Sequence, residues 1–392
     1  MGWSKMSLPW RVESEMMVFA SHKVASVRLH RLTQAMADTG LDHLVLFGNA
    51  WQNDYLRYAA DFGILEGEGI ALVGRDGSVT LYLDDRMEAE RAGVECPDLC
   101  VKAVRDLVAE VGKALARIGN HKVAMAPRRH MPAGLAMVGS ELGCGDATAV
   151  LDRLLMLKAD EELEAIRRAA HLADAGYDVF CRAAVAGRAD YELVAQTESF
   201  FRSAGVDDNF MLIGVGGPEV RGMTPPVGRV LAPGDMVTTE LTPCVDGYYV
   251  QICRTLVVGD PSPVQQDAFD LFHRAMVAGI DAVAPGVTAA DIARAENAVF
   301  RAAGLGDYVT SEYTRVRGHG LGLFPDTKPH ILEDVETCIE AGMVLIVHPN
   351  TYHPAAGYIV LGDSMIVGPN AAEVLTTTPR RLFRGGTAEA SS

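Results

Sequence analysis

VTTELTPCVDGYYVQICRT, residues 237–255, contains two runs of β-branched and aromatic residues on either side of Asp246-Gly247. An Asp-Gly pair between such runs is the strongest short-range signal of a β-hairpin with a two-residue turn. Opposed residues of a hairpin lie about 5 Å apart, and alternate residues of a strand share a face. The predicted pairs are Val245 with Tyr248, Thr242 with Gln251, and Glu240 with Cys253. The stretch therefore predicts a carboxylate, an amide and a thiol on one patch of sheet.

The bulk composition is that of a globular protein with two or more domains. Of 392 residues, 49% are hydrophobic and 22% are charged, with 35 Lys and Arg against 51 Asp and Glu. A net charge of −16 argues against nucleic acid and anionic membranes as partners, because both require a basic surface. The seven cysteines are odd in number and scattered, which indicates free thiols in a reducing compartment. With no signal peptide or apolar span in the sequence, we expect a cytoplasmic protein.

Strands and helices alternate in the first part of the chain and are segregated in the second. We predict an α/β domain at 1–155, an α+β domain at 156–385 and a flexible tail at 386–392. The predicted helices are 21–40, 106–119, 151–187, 188–205, 262–286 and 288–305. The predicted strands are 41–48, 69–84, 121–127, 210–216, 236–244, 248–258, 343–349 and 358–367. No glycine-rich nucleotide-binding motif stands at a strand–helix junction.

The second half carries a familiar series of motifs. They are RVLAPGDMVTTELTPCVDGYYVQICRTLVVG, APGVTAADI, GHGLGL, IEAGMVLIVHPNTY and GYIVLGDSMIV, in that order. This series resembles the pita-bread superfamily of creatinase, prolidase, aminopeptidase P and methionine aminopeptidase. The N-terminal region and the linking helix at 157–174 resemble the two-domain members. The resemblance implies the α+β, two-domain creatinase/prolidase-like architecture.

Metallopeptidases of this superfamily hold two metal ions with Asp, Asp, His, Glu and Glu. The matching positions in this sequence are Glu240, Gln251, His319, His348 and Gly362. One carboxylate, one amide, two imidazoles and a glycine do not supply the anionic oxygens that two divalent ions need. We therefore expect no dinuclear peptidase and no cofactor. The alternative is one divalent transition metal at Glu240, His319 and His348, a two-imidazole, one-carboxylate set.

Creatinase is the metal-free relative, and the resemblance maps its catalytic residues onto this chain. Its catalytic His and two Glu correspond to Met223, Cys253 and His348, and its substrate-binding Arg falls near Glu66. None of these residue types is kept, so we expect a substrate of different charge. Creatinase-like proteins pair so that one N-terminal domain covers the other subunit's pocket. The resemblance therefore implies a homodimer in which loop 61–69 reaches the partner's site.

Each candidate side chain also has a structural interpretation. The predicted catalytic residues are His319, His348, Glu240 and Cys253. Imidazole is well suited to proton transfer near neutral pH, although a lone His is often structural. Glu240 either acts on the substrate or forms an ion pair with Arg254 or Arg221, and Cys253 is either a nucleophile or an inert buried thiol. The predicted substrate-binding residues are Gln251, Met223, Glu66, Tyr248, Asp326 and Tyr358.

These observations lead to a functional hypothesis with three alternatives. The hypothesis is a metal-independent, creatinase-like hydrolase that cleaves a C–N bond of a small polar molecule by His/Glu acid–base catalysis. In one interpretation that molecule is cationic. The alternatives are a lyase using the same pocket, a mononuclear metal enzyme, and a pita-bread module that binds peptides without catalysis. The expected partners are a small-molecule substrate and a second copy of the chain.

Overall fold

The computed structural model describes residues 14–119 and 121–387, with side chains from residue 24 onward. The chain divides into two compact units after Leu151. The predicted boundary at 155/156 lies a few residues later, and residues 388–392 of the predicted tail lie outside the described residues. No helix within the described ranges is both long and apolar enough to cross a membrane.

The first unit is built on one mixed sheet of six strands, in the order β4-β3-β2-β1-β5-β6. Its strands are β1 (His43–Asn49), β2 (Glu68–Gly74), β3 (Val79–Leu83), β4 (Cys100–Ala103), β5 (Val123–Ala126) and β6 (Gly145–Asp146). Its helices are α1 (Ser14–Thr39), α2 (Asp54–Ala60), α3 (Arg86–Glu95), α4 (Leu107–Ile118) and α5 (Ala133–Glu141), with a short 3₁₀ turn at Arg128–His130. β1 pairs antiparallel with β2 and parallel with β5. The α/β alternation predicted for this region is observed.

The second unit carries two five-stranded sheets and a separate two-stranded one. Its helices are α6 (Thr148–Met156, which crosses the boundary), α7 (Asp160–Ala183), α8 (Asp190–Ser203), α9 (Pro263–Asp281) and α10 (Ala289–Ala302), with a 3₁₀ turn at Gly306–Tyr308. Its first strands are β7 (Asp208–Gly216), β8 (Met236–Val245), β9 (Tyr248–Tyr249), β10 (Ile252–Val257) and β11 (Gly318–Gly320). The others are β12 (Thr327–His330), β13 (Val344–Val347), β14 (Thr351–His353), β15 (Gly357–Ile359), β16 (Asp363–Val367), β17 (Ala372–Val374) and β18 (Phe383–Arg384). Helices segregated from largely antiparallel sheets make this unit α+β, as predicted.

The helix predicted at 151–187 is two helices, α6 and α7. Leu157 leaves the helical pattern because it forms an antiparallel bridge with Met343, and the Lys158 N–H donates to Gly342 O at 2.9 Å. A tertiary strand contact therefore ends α6.

The predicted hairpin is confirmed in its turn and register. Asp246 and Gly247 have φ of 50° and 81°, the positive values that a type I′ turn requires at both central positions. Val245 pairs with Tyr248, and Glu240 pairs with Cys253. The ladder of hydrogen bonds between the two arms of the hairpin is interrupted between these two pairs, because Pro243 has no N–H to donate.

A buried ion pair joins the two larger sheets. β10 and the start of β16 meet where Cys253 and Gly362 exchange backbone hydrogen bonds of 3.1 and 3.0 Å. Beside this bridge, the Arg254 guanidinium donates to Asp363 Oδ1 at 2.6 Å and to Gly362 O at 2.8 Å. The side chains of Arg254 and Asp363 are 0% and 1% exposed. Arg380 donates to the second Asp363 oxygen at 2.6 Å, so this buried carboxylate is satisfied on both sides.

Asp363→Asn should lower the free energy of unfolding by about 3–5 kcal/mol, because removing one partner leaves buried guanidinium charge uncompensated. The matched control is Glu373→Gln, which alters the ion pair of Glu373 with Arg167, both about half exposed. The control should cost less than about 1 kcal/mol. Urea unfolding of both variants measures the difference, and equal small effects would contradict the assigned role of the buried pair.

Candidate functional site

The hairpin and the strand that follows it bring a carboxylate, an amide and a thiol into contact. Gln251 Nε2 donates to Glu240 Oε2 at 3.0 Å and lies 3.6 Å from Cys253 Sγ. Ser364 holds the Gln251 backbone on both sides, since its Oγ accepts from the N–H at 3.1 Å and donates to the carbonyl at 2.7 Å. The alternative in which Glu240 forms an ion pair with Arg254 is wrong, because Arg254 is paired with Asp363.

His319 and His348 lie against each other on neighbouring parts of the second sheet. Their ring centroids are 5.4 Å apart in an edge-to-face arrangement, and both residues are buried. Gly318 and Gly320 allow this packing. A Cβ at Gly318 would come within 2.2 Å of Ile346 O, and one at Gly320 within 2.1 Å of Lys328 O.

Burial sets the protonation states of these groups. Burial, with the nearby negative charge of Asp326, raises the pKa of Glu240 to about 7. Burial and the neighbouring His319 lower the pKa of His348 to about 3, and burial also lowers the pKa of His319. At neutral pH the site therefore holds two uncharged imidazoles and one carboxyl group that titrates in the physiological range.

The predicted nucleophile has an unfavourable environment. Cys253 is 0% exposed, and burial together with the charge of Glu240 raises the pKa of its thiol well above the ordinary value. The thiolate is the reactive form of cysteine. The geometry thus favours the interpretation of Cys253 as an inert buried thiol.

Asp326 and Tyr358 are placed beside the central cluster. Asp326 Oδ1 lies 3.9 Å from His319 Nδ1 and accepts from His330 Nε2 at 3.1 Å, and its other oxygen pairs with Arg315. Burial acts to raise the pKa of Asp326. The net effect is a lowered pKa, because several interactions outweigh burial, and the hydrogen bond from His330 is the largest of them. Burial, followed by the charge of Glu240, raises the pKa of the Tyr358 phenol, so Tyr358 remains a hydrogen-bond donor.

The remaining predicted binding residues differ in their surroundings. The buried hydroxyl of Tyr248 donates to Glu162 Oε1 on α7 at 2.9 Å and so ties the hairpin to that helix, and the substrate-binding role of Tyr248 remains a prediction. Met223 is half-buried in the connection between β7 and β8. Glu66 is exposed on the α2–β2 loop of the first unit. The roles proposed for Met223 and Glu66 remain predictions.

Sequence reasoning missed Asn350. Its Nδ2 lies 3.8 Å from Cys253 Sγ, and its Oδ1 accepts from the Leu361 N–H at 3.1 Å. It follows His348-Pro349 at the end of β13, where a strand that stops at proline exposes the next polar side chain to the site. Its position just after the strand was the sequence signal that could have identified Asn350 as a site residue.

The residues of the site do not fit a metal centre. Among the described residues, no group of three or more His, Cys, Asp or Glu side chains is placed to hold a metal ion. The predicted alternative of one ion at Glu240, His319 and His348 is therefore wrong. The space at Gly362 is also filled, since a Cβ there would lie 2.6 Å from the Cβ of His348.

Comparisons with known proteins cover both units. Residues 164–369 match metallopeptidase family M24, and residues 28–156 match the Creatinase/Prolidase N-terminal domain. An Xaa-Pro dipeptidase of Pyrococcus furiosus is 27% identical over 60% of this chain and 67% of its own length. A probable dipeptidase PepE of Mycobacterium tuberculosis is 28% identical over 69% of this chain and 73% of its own.

Solved structures agree on the fold. Dipeptidase PepE from Mycobacterium ulcerans has a TM-score of 0.77 and 28% identity, covering 93% of this chain and 98% of that one. The prolidase from Pyrococcus horikoshii has a TM-score of 0.78, covering 91% and 99%, and at 22% identity it shows the fold alone. The predicted two-domain creatinase/prolidase-like architecture is confirmed.

The same comparisons overturn the functional hypothesis. A metal-independent, creatinase-like hydrolase of a small molecule is wrong, because the relatives are named dipeptidases and the matched family is one of metallopeptidases. The expectation of no cofactor is wrong for the same reason, since such enzymes normally use divalent metal ions. The matched family thus implies metal, whereas the described side chains do not fit it, and we derive no reaction step through a metal.

The raised pKa of Glu240 predicts a specific pH dependence of stability. The folded protein binds a proton at Glu240 up to about pH 7, whereas an ordinary Glu releases it near 4.5. Between these values the folded state holds more protons than the unfolded state, so this group makes the free energy of unfolding fall as pH rises. Glu240→Gln should remove that decrease. The free energy of unfolding of the variant, measured relative to that of the parent, should therefore be higher at pH 8 than at pH 5.

Urea unfolding at pH 5, 6.5 and 8 measures this effect, and ¹³C NMR of labelled glutamate carboxyls follows the titration directly, with Glu240→Gln identifying the signal. A titration of Glu240 near 4.5, or parallel pH profiles of the two proteins, would contradict the assigned environment.

Proposed function

The chain belongs to metallopeptidase family M24, and from this premise we propose that it hydrolyses the amide bond of a short peptide. The family is one of hydrolases, and the dipeptidase names of its relatives support a short peptide as the substrate class. The observation that carries the proposal is the buried Glu240 carboxyl, which has a pKa of about 7 and accepts a hydrogen bond from Gln251.

Glu240 is the proton-transfer group in this proposal. As a carboxylate it accepts a proton from the attacking water while the water oxygen forms a bond to the amide carbon. It then returns that proton to the leaving nitrogen as the C–N bond breaks. A group whose pKa lies near the working pH performs both transfers efficiently, and Gln251 Nε2, 3.0 Å from Oε2, orients the carboxyl.

Neutral donors around Glu240 serve the developing oxyanion. The Tyr358 phenol stays protonated because burial and Glu240 raise its pKa, so it can donate to the tetrahedral oxygen. His348 Nδ1 is buried and has no hydrogen-bond partner among the described residues. An unpaired buried nitrogen is costly, and a polar substrate group would satisfy it.

The purified protein should release free amino acids from at least one member of a dipeptide panel that includes Xaa-Pro sequences. The panel is run as purified, with added Mn²⁺, Co²⁺ or Zn²⁺, and after chelation, with products identified by mass spectrometry. Glu240→Gln should lower kcat about 10²- to 10⁴-fold, because a positioned acid–base group is lost.

Cys253→Ala is the matched control, since a buried protonated thiol takes no part in the proposed steps, and its kcat should stay within about threefold of the parent. Intact dipeptides under every condition, or full activity of Glu240→Gln, would refute the proposal.

We also propose that the protein is a homodimer in which loop 61–69 contributes to the partner's site. This loop exposes Leu65 and Glu66, and the adjacent loop exposes Trp51. Ala50 N–H donates to Gly67 O at 3.3 Å, which connects the two loops. Large exposed apolar side chains on neighbouring loops are typical of interaction surfaces.

Leu65→Asp should therefore weaken the dimer, because it places a charge in an apolar contact. Light scattering after size exclusion should give the dimer mass for the parent and a monomer fraction for the variant. Val94→Asp, at another exposed apolar position, should remain dimeric. A monomeric parent protein would contradict the proposal.

A further inference from the structure

A buried arginine lies directly behind the two histidines. Arg317 is 1% exposed and precedes β11. Its N–H donates to Ile331 O at 2.9 Å, and its carbonyl accepts from the His348 N–H at 3.0 Å. Its Nη1 donates to Asn350 O at 3.2 Å. Both the backbone and the side chain of Arg317 therefore hold the segment 348–350.

The helix layer holds the other side of the guanidinium. Arg317 Cζ lies 5.3 Å from the ring centroid of Phe300 on α10, an arrangement that favours a cation over an aromatic face. Glu296 lies one turn earlier on α10, fully buried. Neither of its carboxyl oxygens has a hydrogen-bond partner among the described residues, and burial raises its pKa well above the ordinary value.

This arrangement is costly for stability. Buried polar groups without partners destabilise a fold, and besides Glu296, Arg317 Nε and Nη2 have no hydrogen-bond partner in the described structure. Glu296 and Arg317 interact electrostatically, but no hydrogen bond joins the two side chains in the described structure. Apolar residues of similar size would fill this space at lower cost, which indicates that Arg317 serves something other than packing.

The segment that Arg317 holds carries two groups of the site. Asn350 Oδ1 accepts from the Leu361 N–H at 3.1 Å, and its Nδ2 lies near Cys253 Sγ. His348 presents its unpartnered Nδ1. A shift of segment 348–350 would therefore move both the imidazole and the amide, and displacements of about 1 Å can cost 10²-fold in rate.

We propose that Arg317 is a positioning residue that anchors segment 348–350 to α10 and so fixes His348 and Asn350 in the site. Its role in catalysis rests on the proposed amide hydrolysis, whereas its role in ordering the segment does not. The charge of Arg317 also contributes, after burial and His319, to the lowered pKa of His348, so the same residue helps to keep that imidazole neutral.

Arg317→Met preserves much of the side-chain volume and removes both the charge and the hydrogen bond to Asn350. Hydrogen–deuterium exchange of the Leu361 amide reports on the anchor, because that amide bonds to Asn350 Oδ1. We expect its exchange to accelerate about tenfold or more in Arg317→Met. Arg294→Met, at an exposed arginine of α10 with ion pairs to Asp291 and Glu336, should exchange as the parent does.

In the kinetic arm, Arg317→Met should lower kcat for dipeptide hydrolysis about 10- to 100-fold, with KM within about threefold, because misplaced groups affect the transition state more than binding. Unchanged Leu361 exchange in folded Arg317→Met overturns the proposal. If the parent hydrolyses no dipeptide, the proposed function fails, and the exchange measurement still decides the anchor.

Phe300→Leu provides a second variant should Arg317→Met not fold. It removes the ring on which the guanidinium lies and leaves Arg317 in place. We expect faster Leu361 exchange in the same direction and of smaller size, and parent-like exchange in folded Phe300→Leu would overturn the proposal.

Discussion

The buried Arg254–Asp363 pair is the constraint on which the site depends. Buried charges are tolerated when they are paired and hydrogen-bonded. Arg254 donates to Cys253 O, Gly362 O, Asp363 and Thr378 O, and Asp363 also accepts from Thr376 and Arg380. Because these bonds include backbone atoms of both sheets, they hold the hairpin that carries Glu240 and Gln251 against the sheet that carries His348.

The burial of the site residues beside this ion pair controls their protonation states. The same burial raises the pKa of Glu240 and lowers those of His319 and His348, because an interior of low dielectric favours the uncharged form of every group. The site thus combines one carboxyl that titrates near neutrality with uncharged donors. This set of groups suits proton transfer better than it suits the binding of divalent ions, although the chain is a member of a metallopeptidase family.

Residue identities alone led to the wrong functional hypothesis. The motifs match four of the five ligand positions to a different residue type, but the step to a creatinase-like small-molecule hydrolase treated the loss of ligands as a guide to substrate. Ligand positions report on how a reaction is assisted, whereas substrate choice depends on the shape and polarity of the whole pocket. Tyr248 illustrates a contact that spacing does not predict, since its hydroxyl bonds to Glu162 on α7, far away along the chain.

The sequence by itself determined the hairpin, its type I′ turn and the pairing of Glu240 with Cys253, because an Asp-Gly turn and strict alternation set the register locally. The ordered motifs determined the two-unit architecture. Only the tertiary structure decided the break between α6 and α7 at Leu157, the contacts of Asn350 and Arg317, and the protonation state of Glu240. Each of these depends on burial and on partners distant along the chain, and neither is encoded in local sequence spacing.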